Sequence, residues 1–94
     1  MVLSGALTVE HAPQLKQRLL AQLEAGAPVQ LHGHDVSQLD GAGAQLLYAF
    51  VRDASRRGTT TRWISASREL VEAARMLGMA GELGLTEEAL AWRP

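Results

Sequence analysis

Side chains able to do chemistry gather in one stretch of this chain, from His32 to Asp40. His32, His34 and Asp35 supply imidazoles and a carboxylate, and Ser37 supplies a hydroxyl. Asp40 adds another carboxylate just ahead of the small-residue run Gly41-Ala42-Gly43-Ala44. Metal binding, catalysis, nucleotide binding and docking of another macromolecule all draw on such residues. Each makes a different demand on number and spacing.

A metal site would use His32 and His34, which sit two apart and so face the same way on a strand, with Asp35 and His11 as further donors. Structural zinc takes four ligands, and catalytic zinc takes three plus an open position. Only the histidine pair is spaced convincingly. The simpler reading is polar residues at the exposed carboxyl end of a strand, so no metal is expected. For catalysis, Glu10, Asp35 and Asp40 have no paired carboxylate at a telling distance. His34 stands three residues before Ser37, as in any polar loop. The members of a triad need only meet in space, and nothing in the sequence supports one. Asp40 reads more simply as the N-cap of the helix that follows.

Nucleotide binding fails on its motif. A dinucleotide loop needs a third glycine three places after Gly43, where Leu46 stands, and no Walker lysine follows. About seven residues also separate the loop from a strand ending at Gly33, where the motif allows almost none. Docking remains. A helix start exposes backbone N–H groups and the positive end of its dipole, which suits a phosphate, a carboxylate or a partner protein. Small side chains let another surface approach closely. They would equally let the helix pack tightly over its own sheet, and the residues alone do not separate the two. Neither Gly41 nor Ala42 has a hydroxyl, so the joint offers backbone but no nucleophile and no phosphorylation site.

The elements that position this joint follow from glycine, proline and apolar spacing. Met1–Ser4 reads as extended, and Ala6–Val9 after Gly5 likewise. Ala12, Leu15, Leu19 and Leu23 form the stripe of an amphipathic helix, with Pro13 in its first turn and Gly26 and Pro28 ending it. Val29–Gly33 reads as a short strand, with a loop from His34 to Gln38. A second helix spans about Gly43 to Arg56, with Leu46, Leu47, Phe50, Val51 and Ala54 inward and Gly58 after it. Thr59–Ser65, β-branched and aromatic, predicts a strand. Ser67 caps a third helix that buries Leu70, Val71, Ala74 and Leu77 and ends at Gly78. Gly81–Leu85 leaves room for one short strand, and Thr86 starts a last helix to about Trp92. Helix-length crossovers imply parallel strands with right-handed connections. The expected fold is α/β: a small, mostly parallel sheet of about four strands with about four helices, in one domain over residues 1–94.

Composition narrows the function further. A chain of 94 residues with 47% apolar content supports one core, and no run approaches a membrane span. The start, Met-Val-Leu-Ser-Gly-Ala-Leu-Thr, lacks the pattern of a signal peptide. There is no cysteine, which fits a reducing cytosol. A net charge of −1 with scattered basic residues argues against nucleic acid. The basic residues are eight arginines and one lysine, a bias that suits interface ion pairs and equally follows from a GC-rich genome.

The run Val36-Ser-Gln-Leu-Asp-Gly-Ala-Gly-Ala-Gln-Leu-Leu resembles the signature loop of STAS domains, the anti-sigma-factor antagonist and sulfate-transporter modules. That pattern is an apolar residue, Asp, two small or hydroxyl residues, Gly, then an apolar helix start. Leu3-x-Gly5-x-Leu7-Thr8 is similar to the family's early strand and turn. Leu77-Gly78 with Leu83 is similar to its closing segment, so the resemblance covers most of the chain. The Asp-small-Ala-Gly-x-Gln-Leu-Leu variant looks most like small stand-alone members beside bacterial chemotaxis genes. It also looks like the subunit of the lipid-asymmetry transporter.

The resemblance implies a cytoplasmic, non-enzymatic module without cofactor that docks on a kinase-like or signalling partner. In the family, a partner kinase phosphorylates a Ser or Thr just after the matching aspartate, which breaks the complex. Gly41 and Ala42 occupy those places here, so that switch is not expected at the usual position, and Ser37 is the nearest other hydroxyl. His32 stands where many members carry aspartate, and a leading strand common in the family is expected to be missing. The predicted contact surface is Asp40, Gly41, Ala42, Gly43 and Ala44, with Gln45, Tyr48 and Arg52 on the helix and Ser37 in the preceding segment. Tyr48 would be an aromatic anchor or part of the core. The alternatives are an accessory subunit of a lipid-transport ABC system and a small-ligand-binding domain, the latter expected to gain thermal stability from a metabolite.

Overall fold

The computed structural model describes residues 1–86. The chain runs β1 (Val2–Leu7), a 3-10 turn (Val9–His11), α1 (Ala12–Ala25), β2 (Val29–Leu39), α2 (Gly41–Arg56), β3 (Thr61–Ala66), α3 (Arg68–Met76) and α4 (Ala80–Leu83). Both strand pairs are parallel, in the order β1-β2-β3, with β2 central. The fold is therefore α/β, as the crossover lengths required. Among the described residues the sheet has three strands where about four were expected, because the segment read as a possible strand, Gly81–Leu85, instead begins inside the short helix α4 (Ala80–Leu83). The helix expected after Thr86 lies outside the described residues.

β2 differs most from its reading. It continues through the segment read as a loop and ends at Leu39, next to Asp40. Its buried positions are Val29, Leu31, Gly33, Val36 and Leu39, so the period of two stretches to three after Gly33. Register shifts against β1 explain this: Val2 pairs His32 but Ser4 pairs Asp35, and Gly5 pairs Val36 but Ala6 pairs Gln38. Each shift inserts one extra residue on β2, a β-bulge that turns the next apolar side chain back to the core. Consecutive polar pairs, His34-Asp35 and Ser37-Gln38, are left in solvent.

One core joins the sheet to the helices. Leu3, Leu7, Leu31, Val36 and Trp63 meet Leu15, Leu19 and Leu23 of α1, Leu47 and Phe50 of α2, and Leu70 of α3. α1 starts with proline in its first turn and closes at Gly26, whose φ of 71° only glycine adopts readily. α2 starts at Gly41, two residues before the sequence reading, and buries Gly43, Ala44, Leu47, Phe50 and Ala54. Leu46 and Val51 are only partly covered. Ser67 caps α3 as expected: its hydroxyl accepts the Leu70 N–H at 3.1 Å and donates to the Val36 carbonyl at 2.6 Å. Leu70 and Ala74 are buried, but Leu77, placed in the core by its spacing, is 42% exposed beyond the end of α3.

Candidate functional site

The candidate joint between β2 and α2 is organised by Asp40. One carboxylate oxygen accepts the Gly43 N–H at 2.9 Å, closing the N-terminus of α2. The other accepts the Val9 N–H at 2.9 Å, reaching across to the end of β1. The backbone joins in, with the Asp40 N–H donating to the Leu7 carbonyl at 3.2 Å and the Asp40 carbonyl accepting from Ala44 at 2.9 Å. The Gly43 and Val9 amides hold the Asp40 carboxyl below its ordinary value of 3.8, because both bonds favour the charged form. The positive pole of α2 thus carries the molecule's own carboxylate rather than standing open to a foreign anion. This also settles Asp40 as a cap.

The four small residues after Asp40 divide into two roles. A Cβ on Gly43 would lie 2.0 Å from the Leu7 carbonyl oxygen, so α2 rests directly on the end of β1 at a distance only glycine permits. Ala44 is fully buried. For Gly43 and Ala44 the tight-packing reading holds, and neither presents a side chain to a partner. Gly41 is exposed, with nothing within 4 Å of where its Cβ would stand, and Ala42 is partly exposed. These two form the accessible tip of the joint.

Gln45, Tyr48 and Arg52 continue from the tip along one flank of α2, with Gln45 and Arg52 exposed and Tyr48 half-buried. The Arg52 guanidinium lies 5.5 Å from the centroid of the Tyr48 ring, a cation–π contact that holds both side chains together on this flank. Gln45 reaches toward the Met79 sulfur at 4.0 Å, just before α4. Ser37 is exposed on β2 rather than in a loop.

The remaining polar residues come together elsewhere. His34 Nδ1 lies 3.0 Å from the Ser65 hydroxyl of β3, and Nε2 lies 3.3 Å from the Asp35 carboxylate. His34 therefore meets Ser65 rather than Ser37, through strand pairing that sequence spacing does not display. His34 and Asp35 are 57% and 64% exposed, so water screens the pair, and it is a surface contact rather than a sheltered nucleophile. Among the described residues, no three His, Cys, Asp or Glu side chains converge as a metal site would need. No helix there is long and apolar enough to cross a membrane.

Sequence reasoning missed the other flank of α2. There Ala42, Leu46 and the edge residue Gln45, which also belongs to the first flank, face Ala12, Pro13 and Lys16 of α1 across an open, mostly apolar groove. The signal was present in Leu20, which falls off the buried stripe of α1 and is 44% exposed.

No curated protein matches the chain. A family model described as "Mlab, STAS domain" matches residues 1–87, which span every element described above and the Asp40 joint. With the parallel α/β order and the capped strand-to-helix junction, that match over most of the length shows that the chain belongs to the STAS domain family.

Proposed function

We propose that this chain is a non-catalytic, cytoplasmic docking module that regulates a kinase-like or signalling partner by occupying a complementary surface. STAS domains are generally interaction modules, and the family match supports that class. The observation that carries the reading is the accessible tip at Gly41 and Ala42. It is held from below by Asp40 and Gly43, is continuous with Gln45, Tyr48 and Arg52, and lacks any hydroxyl. A tip anchored by hydrogen bonds beneath it has less freedom to lose on association. Without a hydroxyl at residues 41 and 42, binding is governed by partner abundance and not by phosphate on this joint.

The test pairs binding with mass. Ala42→Glu should abolish binding to the partner while leaving the fold intact, because Ala42 is partly exposed. Incubation with the partner kinase and ATP should leave the wild-type mass unchanged. A gain of one phosphate, mapped to Ser37 or elsewhere, would make the protein a relocated phospho-switch instead. Gly41→Ser, for which there is open space, should fold normally and restore an acceptor hydroxyl.

A second reading has its own support in the family description, "Mlab", and in the loop variant resembling the lipid-asymmetry transporter subunit. There the partner is the ATPase of a lipid-transport ABC system, and the same tip would bind it. Stable co-purification with an ABC ATPase, with altered ATP turnover, selects this reading. Binding to a histidine-kinase-like ATPase selects the first.

A further inference from the structure

β1 is an edge strand: it pairs with β2 on one side, and among the described residues no strand lies on the other. The Met1 and Leu7 carbonyls accept from the His32 and Asp40 N–H groups, so the odd positions of β1 turn their backbone groups toward β2. By the alternation of a strand, Val2, Ser4 and Ala6 turn theirs outward. Outward N–H and C=O groups in a row are a template on which another strand can add.

Gly5 divides this edge. Its φ of 71° lies far from that of an extended strand, so the straight part of the edge is Val2 to Ser4. Arg18 stands on that part. It reaches from α1, 16 residues away in sequence, and its Nη2 donates to the Val2 carbonyl. Arg18 is exposed and forms no ion pair among the described residues. An open hollow of about 310 Å³, lined by Ser4, Gly5, Gln14 and Arg18 among others, lies between the strand and α1. A side chain, and not a packed helix, therefore covers the straight edge. An incoming strand must expel the guanidinium from Val2 or bury its charge without a counter-ion, which is costly.

We propose that Arg18 guards the β1 edge against a second copy of this chain. The occupant follows from the edge itself. Val2 and Ser4 lie either side of Leu3, so two copies running antiparallel about Leu3 set Val2 of each opposite Ser4 of the other. Each pair exchanges the outward N–H and C=O groups, and the contact closes on two copies because it is two-fold. With Arg18 in place the edge stays closed and the chain stays a monomer. The inference goes beyond the docking reading and does not depend on it, since Arg18 lies outside the proposed docking surface.

The test compares the wild type with Arg18→Ala by analytical ultracentrifugation and by 15N spectra, from micromolar to millimolar protein. The wild type should sediment as a monomer throughout. Arg18→Ala should rise to twice that mass with concentration, with amide shifts and slowed hydrogen exchange at Val2 and Ser4. Adding Ser4→Pro, which deletes one outward N–H, should return Arg18→Ala to a monomer. Arg18→Met keeps an apolar stem without the donor and should behave as Arg18→Ala does, which separates loss of the guard from loss of packing. If Arg18→Ala and Arg18→Met both stay monomeric at every concentration, the proposal is overturned. A wild type that dimerises through β1, or variants that associate with shifts away from Val2 and Ser4, overturn it equally. Partner binding through residues 40–52 should be unchanged in Arg18→Ala, so failure of the guard and failure of the docking reading are told apart.

Discussion

A carboxylate at the start of a helix normally satisfies one or two orphan N–H groups of that helix. Asp40 divides its oxygens differently, giving one to α2 and one to the end of β1, and so fixes the angle between them. Its folded carboxyl titrates below the ordinary value, so it supports folding at pH above that value and loses this support as pH falls through the depressed one. Urea midpoints measured from about pH 7 to about pH 2 should therefore fall more steeply for the wild type than for Asp40→Asn, whose amide does not titrate. Gly43 makes the complementary prediction. Gly43→Ala forces a methyl group against the Leu7 carbonyl and should destabilise by about 1–3 kcal/mol or more, read from the shift in urea midpoint. Gly41→Ala, with open space around it, should be neutral or mildly stabilising in the same assay. The cap was legible because aspartate before a small-residue helix start is a local signal. The reason for Gly43 was not, because its obstacle is a carbonyl 36 positions away in sequence. His34 and Ser65, joined only by strand pairing, were hidden for the same reason.

At the scale of elements, periodicity served the helices well and the central strand poorly. The Leu15-Leu19-Leu23 stripe and the Gly26 stop give α1 almost to the residue, since a helix reads its pattern from its own neighbours. β2 looked short because its bulges break the alternation that identifies a strand, and the adjacent polar pairs they leave resemble a loop. α4 was open to misreading because its four residues carry too little pattern to distinguish helix from strand. Long-range anchors hold these short elements in place. Trp63 in β3 donates its indole N–H to the Leu83 carbonyl at 2.7 Å, tying α4 to the sheet. Trp63→Phe removes the donor of this buried hydrogen bond and should cost about 0.5–1.5 kcal/mol in equilibrium unfolding. Ser67→Ala loses the cap of α3 and the bond to Val36, for about 1 kcal/mol, with faster hydrogen exchange concentrated in the first turn of α3.

Taken whole, the molecule is strongly two-sided. Leu3 and Leu7 of β1, Val29, Leu31, Val36 and Leu39 of β2, and Trp63 of β3 enter one core beneath the helices, while Val2, Ser4, Gln30 and His34 are exposed. The Asp40 joint sits at the carboxyl end of the central strand, where parallel α/β sheets place their functional loops. Under the proposed function, the tip of this joint and the adjoining flank of α2 grip a partner protein without chemistry of their own. Placing a photo-crosslinking side chain at residue 48, and separately at residue 30 on the open face, tests it directly in cells. One discrete adduct is expected from position 48, disappearing with Ala42→Glu, and none from position 30. Adducts only from position 30, or an adduct at 48 indifferent to Ala42→Glu, would contradict it.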